Sequence, residues 1–108
     1  MRYMLFLLFL LSPLSLAASF DCAKAKSPDE KAICASQKLN DLDVEMSVKY
    51  HFLHGLFAMG VSGEMYNSQQ AWLKQRQQCG ANISCLTNSY RQRINQLDTL
   101  YNSIEKPI

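Results

Sequence analysis

The chain has 108 residues, 48% of them apolar, with 11 Lys and Arg against 9 Asp and Glu and four cysteines. That length allows one domain with one modest core and leaves no room for a large buried catalytic cleft. The near-cancelling charge excludes the basic bias expected of a binder of nucleic acid or of acidic membrane surfaces, so electrostatics alone name no partner.

Residues 1–17 read as an export signal: Arg2 is the only early charge, an apolar run extends from Tyr3 to Leu16, and Ser15-Leu16-Ala17 forms a small-x-small cleavage site. The run is about fourteen residues, shorter than the roughly twenty that a membrane-spanning helix needs. Cys22 lies several residues beyond the cleavage point, which argues against a lipid anchor there. A single domain over 18–108 is expected in the periplasm or outside a bacterial cell. In that oxidising space four cysteines favour two disulfides over free thiols or zinc ligands.

The predicted elements are all helical. Ser27-Pro28-Asp29-Glu30 has the form of a capping box with proline at the first helical position, which predicts a short first helix carrying Ile33 and Cys34. Leu39, Leu42, Met46, Tyr50, Leu53 and Phe57 recur at spacings of three and four and predict a longer second helix. Asp41, Asp43, Glu45 and Lys49 fall mostly off that stripe. The glycines in Gly60-Val61-Ser62-Gly63 predict a helix end and a turn. A third helix then carries Met65, Gln69, Trp72, Leu73 and Arg76 up to Cys79. Gly80 suits a left-handed helix terminus, Asn82 or Ser84 suits the next cap, and Leu86, Tyr90, Ile94, Leu97 and Tyr101 mark a fourth helix. The expected fold class is all-α, a small disulfide-stapled bundle of about four helices.

Four cysteines allow three pairings, of which Cys22 with Cys34 and Cys79 with Cys85 is favoured. Residues six apart in an unbroken helix are about 9 Å apart along the axis, too far for a disulfide. Bonding Cys79 to Cys85 therefore requires a chain reversal, for which Gly80-Ala81-Asn82-Ile83-Ser84 is suited.

Several side chains carry both a structural and a functional reading. His51 and His54 lie three apart, but no third ligand follows at metal-binding spacing, so no metal or other cofactor is expected. Asp41 and Glu45 share a helix side, and nothing nearby marks a cleft; a wet face accounts for them. Asn82-Ile83-Ser84 has the form of a glycosylation acceptor inside the proposed turn, a signal relevant only to a eukaryotic source. Trp72 and Arg76, four apart, allow the guanidinium to cover the indole; Tyr90 and Arg93 invite the same reading. Leu56, Phe57, Met59 and Val61 read as core packing at the end of the second helix, with an exposed contact patch as the alternative. No Ser/His/Asp order and no glycine-rich phosphate loop is present, so no enzymatic activity is expected.

Phe20-Asp21-Cys22-Ala23-Lys24-Ala25, Glu30-Lys31-Ala32-Ile33-Cys34, Leu39 to Leu42-Asp43, Trp72-Leu73-Lys74 with Arg76 and Cys79, and Cys85-Leu86 with Tyr90, Arg93-Ile94 and Leu97 together resemble the LprI-type domain family. That family is named for a mycobacterial lysozyme-inhibitor lipoprotein. The resemblance implies a small exported helical protein that binds and inhibits lysozyme or a related peptidoglycan hydrolase; a cell-envelope adaptor without inhibitory activity is the alternative. An inhibitor must fill a cleft holding two carboxylic acids and offer them hydrogen-bond donors. The stapled turn meets that requirement, with Asn82 and Ser84 as donors and Lys74 and Arg76 on the preceding helix. The bland reading is that the turn only closes a hairpin.

Overall fold

The computed structural model describes residues 18–57 and 59–104, without the Met59 side chain. The expected signal segment, 1–17, and the Met59 contact lie outside the described residues.

After a 3-10 turn at Cys22–Lys24, capped by Asp21 through its side chain to Ala23 N–H, the chain forms α1 (Pro28–Ala35), α2 (Gln37–Leu56), α3 (Met59–Gln78) and α4 (Ile83–Asn102). The all-α expectation holds, and no strand occurs among the described residues. α1 and α2 are separated by Ser36 alone, whose extended backbone turns the chain and whose hydroxyl accepts from Leu39 N–H. Asn82 caps α4, accepting from Cys85 N–H at 2.9 Å. Gly80 takes φ of 59°, a left-handed conformation that costs a residue with a Cβ about 1–2 kcal/mol.

Partner numbers give the packing directions. Asp43 meets Tyr90, Lys49 meets Asp98 and Phe52 meets Tyr101, so both numbers rise together and α2 runs parallel to α4. Trp72 meets Ser89 while Gln69 meets Arg93, so α3 runs antiparallel to α4. Three long helices thus form an up-down-up bundle in which α2 packs most extensively on α4, and α1 crosses onto α2 and α3. The core comprises Ile33, Leu39, Met46, Tyr50, Leu53, Met65, Trp72, Leu86, Tyr90, Ile94 and Leu97. These are the periodic positions, buried because a helix with one apolar stripe must cover it.

Both favoured disulfides form. Cys22–Cys34 has a Cα–Cα distance of 5.9 Å and ties the N-terminal lead-in to α1; Cys79–Cys85, at 5.5 Å, closes the α3–α4 turn.

Three local expectations are corrected. The α2–α3 break falls at Phe57, not at the glycines, and Gly60 and Gly63 lie inside the first turns of α3. The Ser62 hydroxyl explains the shift: it donates to the carbonyls of His54 and Phe57, satisfying the exposed end of α2 from the start of α3. The capping box is not made. Ser27 Oγ bonds to Asp29 rather than capping the helix, and Glu30 accepts from Lys26 N–H. Lastly, Leu56 and Val61 are exposed, whereas Phe57 packs partly buried against the core.

A Cβ added at Gly63 meets nothing within 4 Å. Gly63→Ala is therefore expected to stabilise the fold by about 0.5–1 kcal/mol through helix propensity and the unfolded chain's entropy, read as a raised midpoint in denaturant. Replacing Cys79 and Cys85 together by serine is expected to cost about 2–3 kcal/mol in the same measurement.

Candidate functional site

The bundle interior is not wholly apolar. Each helix sends one polar side chain to a common junction: Asp29 from α1, Asp43 from α2, Arg76 from α3 and Tyr90 from α4, none more than 4% exposed. Arg76 Nε donates to Asp29 Oδ2 at 2.8 Å, and its Nη1 donates to the Tyr90 hydroxyl at 3.3 Å. Tyr90 in turn donates to Asp43 Oδ1 at 2.7 Å, and the other Asp43 oxygen accepts from Ser19 N–H at 2.6 Å. The Phe20 ring and the Trp72 indole lie 5.6 and 5.8 Å from the guanidinium carbon, within cation–π range. Trp72 also meets Tyr90 edge to face and donates its indole N–H to the Ser89 carbonyl.

Burial alone pushes the Asp29 carboxyl up. The hydrogen bonds from Ser27 and Arg76, with the guanidinium charge, outweigh it and hold the group below its ordinary value. Burial, followed by the Asp43 charge, drives the Tyr90 phenol far up, so it stays protonated and continues to donate. Arg76 is opposed by burial, but Tyr90 and Asp29 raise it, so it remains a cation. All of these groups are engaged with one another, which suits a fastener rather than a reacting centre.

A second buried contact lies further along. Arg93 Nε donates to Gln69 Oε1 at 3.0 Å, and its Nη1 reaches Ser68 and Gln96. Gln69 Nε2 points to the Met46 sulfur at 3.2 Å. Arg93 therefore links α3 to α4 within the bundle.

The expected binding residues separate into two groups. Asn82 and Ser84 are exposed on the stapled turn and Lys74 is exposed on α3. Arg76 is only 4% exposed and gives Nε and Nη1 to the junction, so it is not a surface side chain beside the turn. It serves instead to cover Trp72, as the i, i+4 spacing implied. Beside the turn lies a shallow depression of about 560 Å³ lined by Gln75, Asn82, Ser84, Asn88, Ser89 and Gln92, amides and hydroxyls with no charge among these six. Asp41, Glu45 and His51 are exposed. No group of three or more metal-ligating side chains occurs among the described residues.

Asp29 and Asp43 were missed as buried residues. The signal was present for Asp43: it sits four after Leu39 and three before Met46, on the apolar stripe itself. A charge at a stripe position marks a buried partner elsewhere, as Arg76 and Arg93 do on α3 and α4.

Three 20-residue helices and one short one, two disulfides and a buried ionic junction define a small stapled helical domain. A sequence profile described as lysozyme inhibitor LprI matches residues 22–97, and the chain belongs to that family. No curated protein and no solved structure matches the chain. No helix among the described residues is long and apolar enough to cross a membrane.

Asp29→Asn removes the carboxylate charge hydrogen-bonded to the buried guanidinium and leaves only Asp43, at 3.9 Å, to balance it; the change is expected to cost about 3 kcal/mol. Because folding depresses the Asp29 pKa, its contribution is complete above the unfolded value, roughly 3.9, and is lost as pH falls through the lower folded value. Thermal melts between about pH 5 and 2 should show the native chain losing stability steeply. The Asp29→Asn chain should lose less over the same interval.

Proposed function

We propose that the protein is an exported, non-catalytic binder that inhibits lysozyme or a related peptidoglycan hydrolase through the stapled α3–α4 turn. The observation that carries this reading is the family match over residues 22–97. The shape of the turn supports it: the Cys79–Cys85 bond and the Asn82 cap set the loop before any partner arrives, so little conformational entropy is lost on docking. Around it stand neutral amides and hydroxyls. Such groups can donate to a carboxylate pair without themselves carrying a charge that must be stripped of water. Lys74 adds one cation close by. Residues 1–17 act as the signal and 18–108 as the working domain, which places the protein in the periplasm or outside the cell; two disulfides fit that compartment.

The adaptor reading has one observation in its favour. Val48, Phe52 and Leu56 form an exposed stripe along α2, and Phe52 meets Tyr101 of α4 at 6.2 Å. Beside them Lys49 bridges Glu45 and Asp98. Exposed apolar side chains aligned in this way suit contact with another exported protein.

Titration of the oxidised protein into a lysozyme lysis assay separates the two. Loss of lysis near equimolar protein is expected, whereas full lysis at large excess favours the adaptor. Because Asn82 caps α4, its alanine variant would weaken the helix; Asn82→Asp with Ser84→Ala keeps a capping oxygen and removes both donors. That double variant is expected to fold normally by circular dichroism and to bind the hydrolase about tenfold more weakly; unchanged binding rejects the turn as the contact.

A further inference from the structure

A separate feature, sharing no lining residue with the depression beside the stapled turn, is a groove of about 510 Å³ between α2 and α3, closed at one end by the lead-in and α1. Its volume falls within the range of small-ligand sites.

Three of its lining side chains, Tyr50, Gln69 and Arg76, are more than nine-tenths buried. Each keeps hydrogen-bonding capacity that no described residue uses. The Tyr50 hydroxyl has no hydrogen-bond partner among the described residues, and burial holds it protonated. Gln69 gives one amide proton to a thioether sulfur, a weak acceptor, and the other to no described residue. Arg76 spends Nε and Nη1 on the junction and leaves Nη2 uncommitted. The Tyr50 hydroxyl and Arg76 Nη2 are not shut off from solvent; they open onto the groove, where their protons can go to a ligand rich in acceptors.

Charge and shape narrow the ligand further. Arg76 is already matched by Asp29 and Asp43, and Glu30 stands on the rim, so the groove offers no surplus positive charge to hold an anion. Its walls are aromatic: His51 and His54 pack on the Tyr50 ring at 5.2 and 5.6 Å, and Tyr66 stands 54% exposed. Ring faces carry negative charge density and attract the C–H face of a saturated ring. Gln70 and Gln77 add amides that both donate and accept. A neutral molecule with C–H faces, hydroxyls and strong carbonyl acceptors satisfies all three requirements.

We propose that the α2–α3 groove binds a short neutral oligosaccharide bearing acetamido groups, with the acetamido carbonyls taken by the buried donors and a sugar face laid on Tyr66. This goes beyond hydrolase inhibition and stands without it. The sugar would occupy a site on this protein itself, lined by none of the donors of the stapled turn.

The test is a titration of the isotope-labelled, oxidised chain alone with triacetylchitotriose, followed by amide and side-chain NMR shifts, with maltotriose as the control. Saturable shifts confined to the groove, a Kd below about 1 mM and no response to maltotriose are expected. Tyr66→Ala and Gln70→Ala change exposed side chains and should keep the fold; Tyr66→Ala is expected to weaken binding about tenfold. No saturable shift, or shifts scattered away from the groove, overturns the proposal. Equal binding of maltotriose overturns the acetamido preference. Loss of hydrolase capture by the Tyr66 and Gln70 variants, with no sugar binding by the native chain, overturns it in favour of a protein contact at the groove.

Discussion

The buried guanidinium of Arg76 is the constraint on which the rest of the fold depends. Once α3 places a cation in the interior, the other three helices must arrive with matching groups: Asp29 directly, Asp43 through the Tyr90 hydroxyl. Leucine in these places would bury more apolar surface, and ion pairs are often no more stable than such replacements. What the junction supplies is register. A slip of one residue in any helix would strand a charge in a medium that penalises it by several kcal/mol, whereas a slip of leucine against leucine costs far less. The disulfides act on the unfolded chain, by shortening its loops, and the junction acts on the folded one, by selecting a single packing.

Much of this was legible in the residues. The apolar period gave the helices, Gly80 with Asn82 or Ser84 gave the hairpin ends, and the geometry of two cysteines six positions apart gave the staple. The α2–α3 boundary was not legible from glycine content, because a serine hydroxyl three residues into the next helix satisfies the carbonyls that the glycines were expected to leave exposed. The capping box failed for a related reason. The Ser27 hydroxyl is turned to donate to the buried Asp29 carboxylate, and in that orientation its oxygen accepts from no backbone N–H of the first turn. In both places a tertiary demand overrode a local rule.

The candidate site divides along the same line. Asn82, Ser84 and Lys74 remain at the surface, where the residue pattern put them, whereas Arg76 reads as a surface donor only if its helix is viewed alone. Pairing Arg76 with Asp29 needs contacts between residues 47 apart in sequence, which no local pattern encodes. The groove between α2 and α3 is equally invisible locally. It exists because two helices and the lead-in meet around side chains that are individually unremarkable, namely two tyrosines, two histidines and several glutamines. The outer surface thus holds a neutral polar end by the staple, a donor-floored groove, and an apolar stripe on α2.

The hydrogen bond from Ser19 to Asp43, together with the wide spacing of the junction's members, bears on how the chain is made. Synthesis releases residues from the N-terminus onward, so α1 and α2 emerge with two aspartates and no counterion until Arg76 appears, and with no phenol until Tyr90 follows. The nascent molecule has little reason to compact early. The junction closes only once its final helix is available.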